Sequence, residues 1–460
     1  MAIELSNLTF TDQADVVPVS GVEEISNTGM ANTLAGNDRI TGIKEITINT
    51  PFQNRFGSIF NSGTLNTADG NDIITGIINR REIPYVAPYE DYPSYLLYEQ
   101  YYSAYACGIY NVGSIYTAEG NDRITGVNEA VSSVGSGSDY GIYSEGGTID
   151  TGGGNDIITG ITQKGRGIYS LNSTINTGDG NDTITATTLD YFGLDLRGTG
   201  GIDTGKGNDI IIGNSPLIGI FNYFDTFVNT GEGNDVITGN SSQYSFAFAN
   251  FGFMDTGEGN DVISGNNIDE ADGILDNTGT GLLNGGEFDG FMYTGDGNDT
   301  ITGIATATTG IGISNGYTYT IDTGNGNDFI IGSGKGVGIL NMGTINTGNG
   351  NDFIIANGGF DLNIYGGEGG KVFLGNDQDY LEGFGNGSFN GGNGQDTLKL
   401  TPGSYTVEIS AETVNFTQPS SSPWSNRRVV MITSEFEQLI AGNTIYNFAS
   451  LTNDQIITVA

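Results

Sequence analysis

The sequence predicts an all-β chain: a right-handed parallel β-solenoid of about 26 residues per coil, with one glycine-rich turn per coil. Three observations predict it. A tripeptide recurs in one register, each period carries three short apolar pieces, and a glycine excess is absorbed by the period. Gly-Asn-Asp occurs twelve times, eleven of them in register, ending at Asp38, Asp72, Asp122, Asp156, Asp182, Asp209, Asp235, Asp261, Asp299, Asp328 and Asp352. Two looser copies follow at Asp379 and Asp396. From Asp156 to Asp261 the spacings are 26, 27, 26 and 26. Elsewhere they stretch to 34, 50, 38 or 29, or contract to 24, as insertions bulging from a coil would produce.

One apolar piece follows a glycine, as in Gly108-Ile109-Tyr110, Gly141-Ile142-Tyr143, Gly167-Ile168-Tyr169, Gly219-Ile220-Phe221 and Gly338-Ile339-Leu340. A second precedes the turn, with Leu65, Ile115, Ile149, Ile175, Ile202, Val228, Met254, Met292, Ile321 and Ile345 in one column. A third follows it, with Ile40, Ile74, Ile124, Ile158, Ile184, Ile211, Ile237, Ile263, Ile301, Ile330 and Ile354 in another. Pieces of three or four residues are too short for helices, and β-branched enrichment favours strands. A single coil cannot bury its apolar face alone, so three strands per coil must stack.

The turn between the second and third strands reads T-G-x-G-N-D-x-I. Its glycines are Gly178 and Gly180, Gly205 and Gly207, Gly231 and Gly233, Gly257 and Gly259, Gly295 and Gly297, Gly324 and Gly326, and Gly348 and Gly350. Glycine accepts positive φ, so the backbone can curl and aim carbonyl oxygens inward, with an aspartate oxygen at the end of the curl. Calcium takes six to eight oxygens of these two kinds. Stacked aspartates about 5 Å apart would repel by roughly 3 kcal/mol per pair at an effective dielectric near 20, and a divalent cation between coils reverses that sign. The other reading is that each aspartate only caps backbone N–H groups and the asparagines form a ladder.

These turns resemble the RTX nonapeptide G-G-x-G-x-D-x-U-x, U being a large aliphatic residue. Gly178 to Ile184 and Gly231 to Ile237 fit it, and Gly391-Gly392-Asn393-Gly394-Gln395-Asp396-Thr397-Leu398-Lys399 matches in full. The resemblance covers residues 32–400 and implies several bound Ca²⁺ ions held by the glycine carbonyls and aspartates named above. RTX rolls repeat every nine residues with turns on both edges, whereas one turn per coil here puts calcium on one edge. Leu34, Ala68 and Ala118 replace the first glycine in the first three copies, and Asp377 replaces a second glycine.

Composition bounds the function. The 54 acidic and 15 basic residues give a net charge of −39, which argues against nucleic acid or anionic membrane as partner and suits cation binding. Histidine is absent, which removes His-dependent catalytic triads and imidazole metal sites. Cys107 is the single cysteine, so no intramolecular disulfide forms. The N-terminal residues lack the basic and apolar regions of a Sec signal, and no apolar run reaches the length of a membrane span.

Three regions are expected: an N-terminal cap over 1–31, the repeats over 32–400 with insertions at 77–107 and 266–292, and a C-terminal cap over 401–460. That last region resembles the uncleaved C-terminal export signal of RTX proteins, which implies secretion by a type I route. The first insertion holds eight tyrosines from Tyr85 to Tyr105 and offers either a contact surface or a packed flap. Outward threonines beside the apolar columns raise ice binding as a minor reading.

The expected function is a non-enzymatic, extracellular calcium-binding structural protein. It is similar to RTX-repeat surface proteins of cyanobacteria, with self-association or cell-surface polysaccharide as partners. The alternative is a calcium-dependent polysaccharide lyase or epimerase on a β-helix, which needs a basic residue beside paired carboxylates. The adjacent basic pairs, Arg80-Arg81 and Arg427-Arg428, lie off the repeat. A third option, a pore-forming toxin, finds no amphipathic or apolar membrane segment in the sequence to support it.

Overall fold

The computed structural model describes residues 2–18, 23–46, 56–80, 106–129, 139–243, 246–268, 279–285, 290–358, 360–361, 370–419 and 428–460. Most of the tyrosine-rich insertion and much of the 266–292 insertion fall outside them. The chain forms two compact units, Met1–Glu232 and Gly233–Ala460. Each is a parallel β-solenoid.

In the first unit a representative coil runs through strands Asp139–Glu145, Thr148–Asp150 and Ile157–Thr162, which belong to three separate sheets. The same sequence of sheets 1, 2 and 3 recurs in the next coil as Arg166–Leu171, Thr174–Asn176 and Thr183–Thr188. Pairing is parallel and one-to-one in all three sheets: Ile142 with Ile168, Ile149 with Ile175, and Ile158 with Ile184. Insertions do not shift the register. Ile74 and Ile124 are 50 residues apart in sequence and directly paired. A one-residue slip would turn every inward isoleucine to solvent, so the apolar face fixes the register.

The columns read from the sequence are the solenoid interior. The pre-turn and post-turn residues are at most 1% exposed throughout. Burying an isoleucine contributes about 1.5–3 kcal/mol, so each coil is held mainly by three or four such side chains. The glycine in the I-T-G-I motif of sheet 3 marks where sheets 1 and 3 touch. A Cβ on Gly76 would sit 2.2 Å from the Gly108 carbonyl oxygen, so only the smallest residues fit there. Where alanine replaces it, at Ala186, the methyl is fully buried.

The segment expected as an N-terminal cap supplies the first rung of two sheets. Ile3 pairs with Ile25 in sheet 1, and Val17 with Ile40 in sheet 3. In the second unit the coil changes near its end. From Lys371 each coil uses two described strands, Lys371–Asp377 with Tyr380–Glu382 and then Gly387–Gly394 with Thr397–Leu400. The spacing from Asp379 to Asp396 is accordingly 17, and the expected three strands per coil do not extend to these copies among the described residues.

The region after Thr401 first adds one more rung. Strand Arg428–Ser434 pairs in parallel with Gly387–Gly394, and Gln438–Ala441 with Thr397–Leu400. Antiparallel strands Val414–Pro419 and Thr444–Asn447 then pair with these two, and Gly403–Ile409 followed by Ile456–Val459 extends the first of them. Ending a parallel stack in antiparallel strands blunts an edge that would otherwise template aggregation.

Candidate cation column at the turns

Each turn buries its first and last side chains and exposes what lies between. The threonines from Thr67 to Thr347 that open the turns are fully buried, and all thirteen repeat aspartates are 2% exposed or less. The residue before each aspartate, asparagine in eleven copies and Gln378 and Gln395 in the last two, faces solvent, as at Asn181 and Asn298. Extended backbone after the second glycine places consecutive side chains on opposite sides, which explains the division.

The aspartates form a ladder. The Asp38 N–H donates to Asp72 Oδ1 at 2.7 Å, Asp72 N–H to Asp122 Oδ1 at 2.7 Å, and Asp122 N–H to Asp156 Oδ1 at 2.7 Å. The same bond, at 2.8 Å, joins Asp156 to Asp182 and Asp182 to Asp209. In the second unit it runs from Asp235 through Asp261, Asp299, Asp328, Asp352 and Asp379 to Asp396. The asparagines form a parallel outer ladder. Asn181 N–H donates to Asn155 Oδ1 at 2.7 Å, and Asn298 N–H to Asn260 Oδ1 at 2.8 Å. The turn aspartate therefore reaches across to the preceding coil rather than capping its own turn.

The second glycine is demanded by stacking. A Cβ on Gly207 would lie 1.4 Å from the Gly180 carbonyl oxygen, and one on Gly326 would lie 1.3 Å from that of Gly297. The first glycine is demanded less. Leu34, Ala68 and Ala118 adopt φ of 65°, 57° and 62° at that position, a strain of about 1–2 kcal/mol each, and their aspartates join the ladder all the same. Asp377 stands at a second-glycine position with φ of 88°.

One oxygen of each carboxylate is thus engaged. The other, Oδ2, is buried without a hydrogen-bond partner at Asp72, Asp122, Asp156, Asp182, Asp261, Asp299, Asp328, Asp352, Asp379 and Asp396. The threonine hydroxyl of the same turn lies between two acceptors, its own aspartate, whose pKa it lowers as Thr117 does for Asp122 and Thr347 for Asp352, and a carbonyl of the next coil, to which Thr117 donates at 3.2 Å and Thr347 at 2.9 Å. In the first turn Thr33 also donates to Asp38 Oδ2. A carboxylate oxygen buried without a donor is costly, and the charged form suffers most. Burial pushes Asp72, Asp261, Asp328 and Asp396 up to about 6. It pushes Asp122, Asp182, Asp299 and Asp379 up to about 7, and Asp352 to about 8. Near neutral pH this column needs a counter-charge, or protons.

No three acidic side chains among the described residues cluster closely enough to hold a metal by themselves. A cation here would use carboxylate oxygens from successive rungs together with turn carbonyls and hydroxyls, the mixed hard-oxygen set that calcium accepts. On the outside, Asp69, Glu119, Asp179, Glu232, Glu258 and Asp296 occupy the variable turn position, on the solvent side of the buried column. Asparagines alternate with aspartates just before the threonine, so Asn176 donates to Asp150 and Asn229 to Asp203.

Two further features escape the sequence reading. A fully buried asparagine ladder lines the end of sheet 1: Asn27 donates to Asn61, Asn61 to Asn111, Asn250 to Asn284, Asn284 to Asn315 and Asn315 to Asn341. Its signal was the asparagine closing IYN, FAN, LLN, ISN and ILN. On the flank of sheet 1 in the first unit, Tyr110, Tyr143 and Tyr169 stack at 5.1 Å. Arg166 and Arg197 there lie over aromatic rings and both pair with the buried Asp195.

The outward threonines Thr41, Thr75, Thr125, Thr159 and Thr185 pair in register, but the hydroxyls of Thr41 and Thr125 are turned out of solvent. Of the basic pairs, Arg81 and Arg427 lie outside the described residues, and Arg428 pairs with Glu408. No helix of the described residues is long and apolar enough to cross a membrane.

No family model matches the chain, and no curated protein matches it. Among solved structures it is similar to one described as a hyperactive, Ca²⁺-dependent, β-helical antifreeze protein from an Antarctic bacterium. The identity is 15% and the TM-score 0.36, over 98% of this chain and 95% of that one.

Proposed function

We propose that this chain is an RTX-type, calcium-loaded solenoid that serves outside the cell as a non-enzymatic structural or surface protein, exported by a signal-peptide-independent type I route. The observation that carries the calcium reading is the set of ten stacked repeat aspartates, named above, whose buried Oδ2 accepts no hydrogen bond. Protons could neutralise it only by holding carboxyls neutral near pH 7, whereas divalent ions also convert the repulsion between rungs into attraction. Self-association or cell-surface polysaccharide is the partner this reading expects.

Chelation tests the proposal. With calcium removed, the melting temperature should fall sharply or the β-sheet circular dichroism should be lost, because metal binding is linked to folding. An unchanged melting curve in chelator rejects calcium as a structural component.

The enzyme alternative would require a base on a solenoid face. Lys399 lies 3.0 Å from Glu382, whose carboxylate also accepts from the Tyr380 hydroxyl. The hydrogen bond from Lys399 to Glu382 raises the lysine above its ordinary value, which is the wrong direction for a proton acceptor. Arg166 is likewise held cationic by Asp195 against the cost of burial.

A further inference from the structure

We infer that Glu437, outside every repeat, carries the calcium column one rung past the last turn, pairing with Asp396 to form a terminal cation site. The inference rests on the calcium reading above and extends it to a residue that no repeat motif contains.

The register places Glu437 where the next aspartate would stand. Gln438 pairs with Thr397 in sheet 3, so Glu437 aligns with Asp396. The hydrogen bond is the same as well. Asp396 N–H donates to Glu437 Oε2 at 2.7 Å, as Asp379 N–H donates to Asp396 Oδ1 at 3.0 Å. The connection is not a glycine turn. Gly391 stacks on the Glu435 carbonyl, and two residues instead of five then lead to the acidic side chain. A shorter connection leaves less backbone to carry the carboxylate across to the preceding rung, and glutamate restores the reach with one extra methylene.

An independent observation points to a ligand. Asp396 is fully buried, and its Oδ2 has no hydrogen-bond partner although Glu437 and Glu435 both repel it. An orphaned carboxylate oxygen under repulsion from two further acidic groups is an arrangement that a cation relieves. Every earlier interval from Asp235 to Asp396 has a carboxylate on both sides. Glu437 gives the last interval the same property, so the cation there need not rely on Asp396 alone.

The test counts calcium ions per chain by native mass spectrometry on the full-length wild type, Glu437→Gln and Glu435→Gln, with melting curves in chelator as the folding control. The amide oxygen introduced by Glu437→Gln can still accept the Asp396 N–H, so the chelated variant should melt no lower than wild type. Glu437→Gln should hold one calcium fewer, and Glu435→Gln the wild-type number. An unchanged count in Glu437→Gln overturns the inference, as does a loss seen only in Glu435→Gln. A wild type that binds no calcium overturns the calcium reading itself, which is a separate result.

Discussion

Replacing Asp182 by asparagine separates the two jobs of a turn aspartate. The Asp182→Asn variant keeps a side-chain oxygen for the Asp156 N–H, which donates to Asp182 at 2.8 Å, and the backbone N–H of residue 182 can still reach Asp209 Oδ1. The charge is lost, and the buried Oδ2 becomes an amide nitrogen that can donate to the Thr177 hydroxyl beside it. With about 10 mM calcium and the roughly 10⁻⁴ to 10⁻³ M dissociation constants of extracellular modules, one site contributes about 1.4–2.7 kcal/mol. For a cooperatively melting unit the size of Met1–Glu232 that is about 3–6 °C. In calcium the variant should melt lower by this amount. In chelator the sign should change. Burial pushes Asp182 to about 7 from an ordinary 3.8. The folded state therefore gains from its proton below about pH 4 and loses that gain as pH rises through about 7. The neutral amide of Asp182→Asn has no such loss, so at pH 8 in chelator the variant should melt at or above wild type. Scanning calorimetry of both proteins at pH 5 and pH 8, with and without calcium, reads all four differences. Equal offsets in calcium and in chelator would refute the claim that the aspartate's charge serves a cation.

Two further substitutions test the scaffold. Gly207→Ala drives a Cβ to 1.4 Å from the Gly180 carbonyl and should cost about 3 kcal/mol or more in urea melts, whereas Ala118→Gly should stabilise by about 1 kcal/mol. Similar effects at the two sites would mean that stacking does not set the glycine pattern. Asn284→Ala removes a fully buried side chain that accepts from Asn250 and donates to Asn315 and the Thr320 carbonyl. It should cost about 2–4 kcal/mol, and a loss under about 1 kcal/mol would make this ladder incidental.

The sequence by itself determined the coil. Isoleucines at a fixed offset from a glycine turn announce both the strand and its inward face, and both signals are local, lying close to each turn. The spacing also located every repeat aspartate on one edge, and the exposed asparagine ladder of the turns, unlike the buried one of sheet 1, was legible as an alternative use of the same turn. Only the tertiary structure decided what the aspartates touch. Their partners are rungs 17 to 50 residues away, and which oxygen is engaged depends on the rise between coils rather than on any motif. The same holds for the ends of the array. Asp15 donates to Asp38 and Glu437 accepts from Asp396, although neither sits in a glycine turn. Stacking recruits whatever oxygen or N–H the register brings alongside, and register is a property of the assembled coils. Sheet 1 shows this again. Arg166, Asp195 and Arg197 belong to no motif in the sequence and become a buried charge cluster only because successive coils set Arg166 beside Phe192 and Tyr169 beside Asp195.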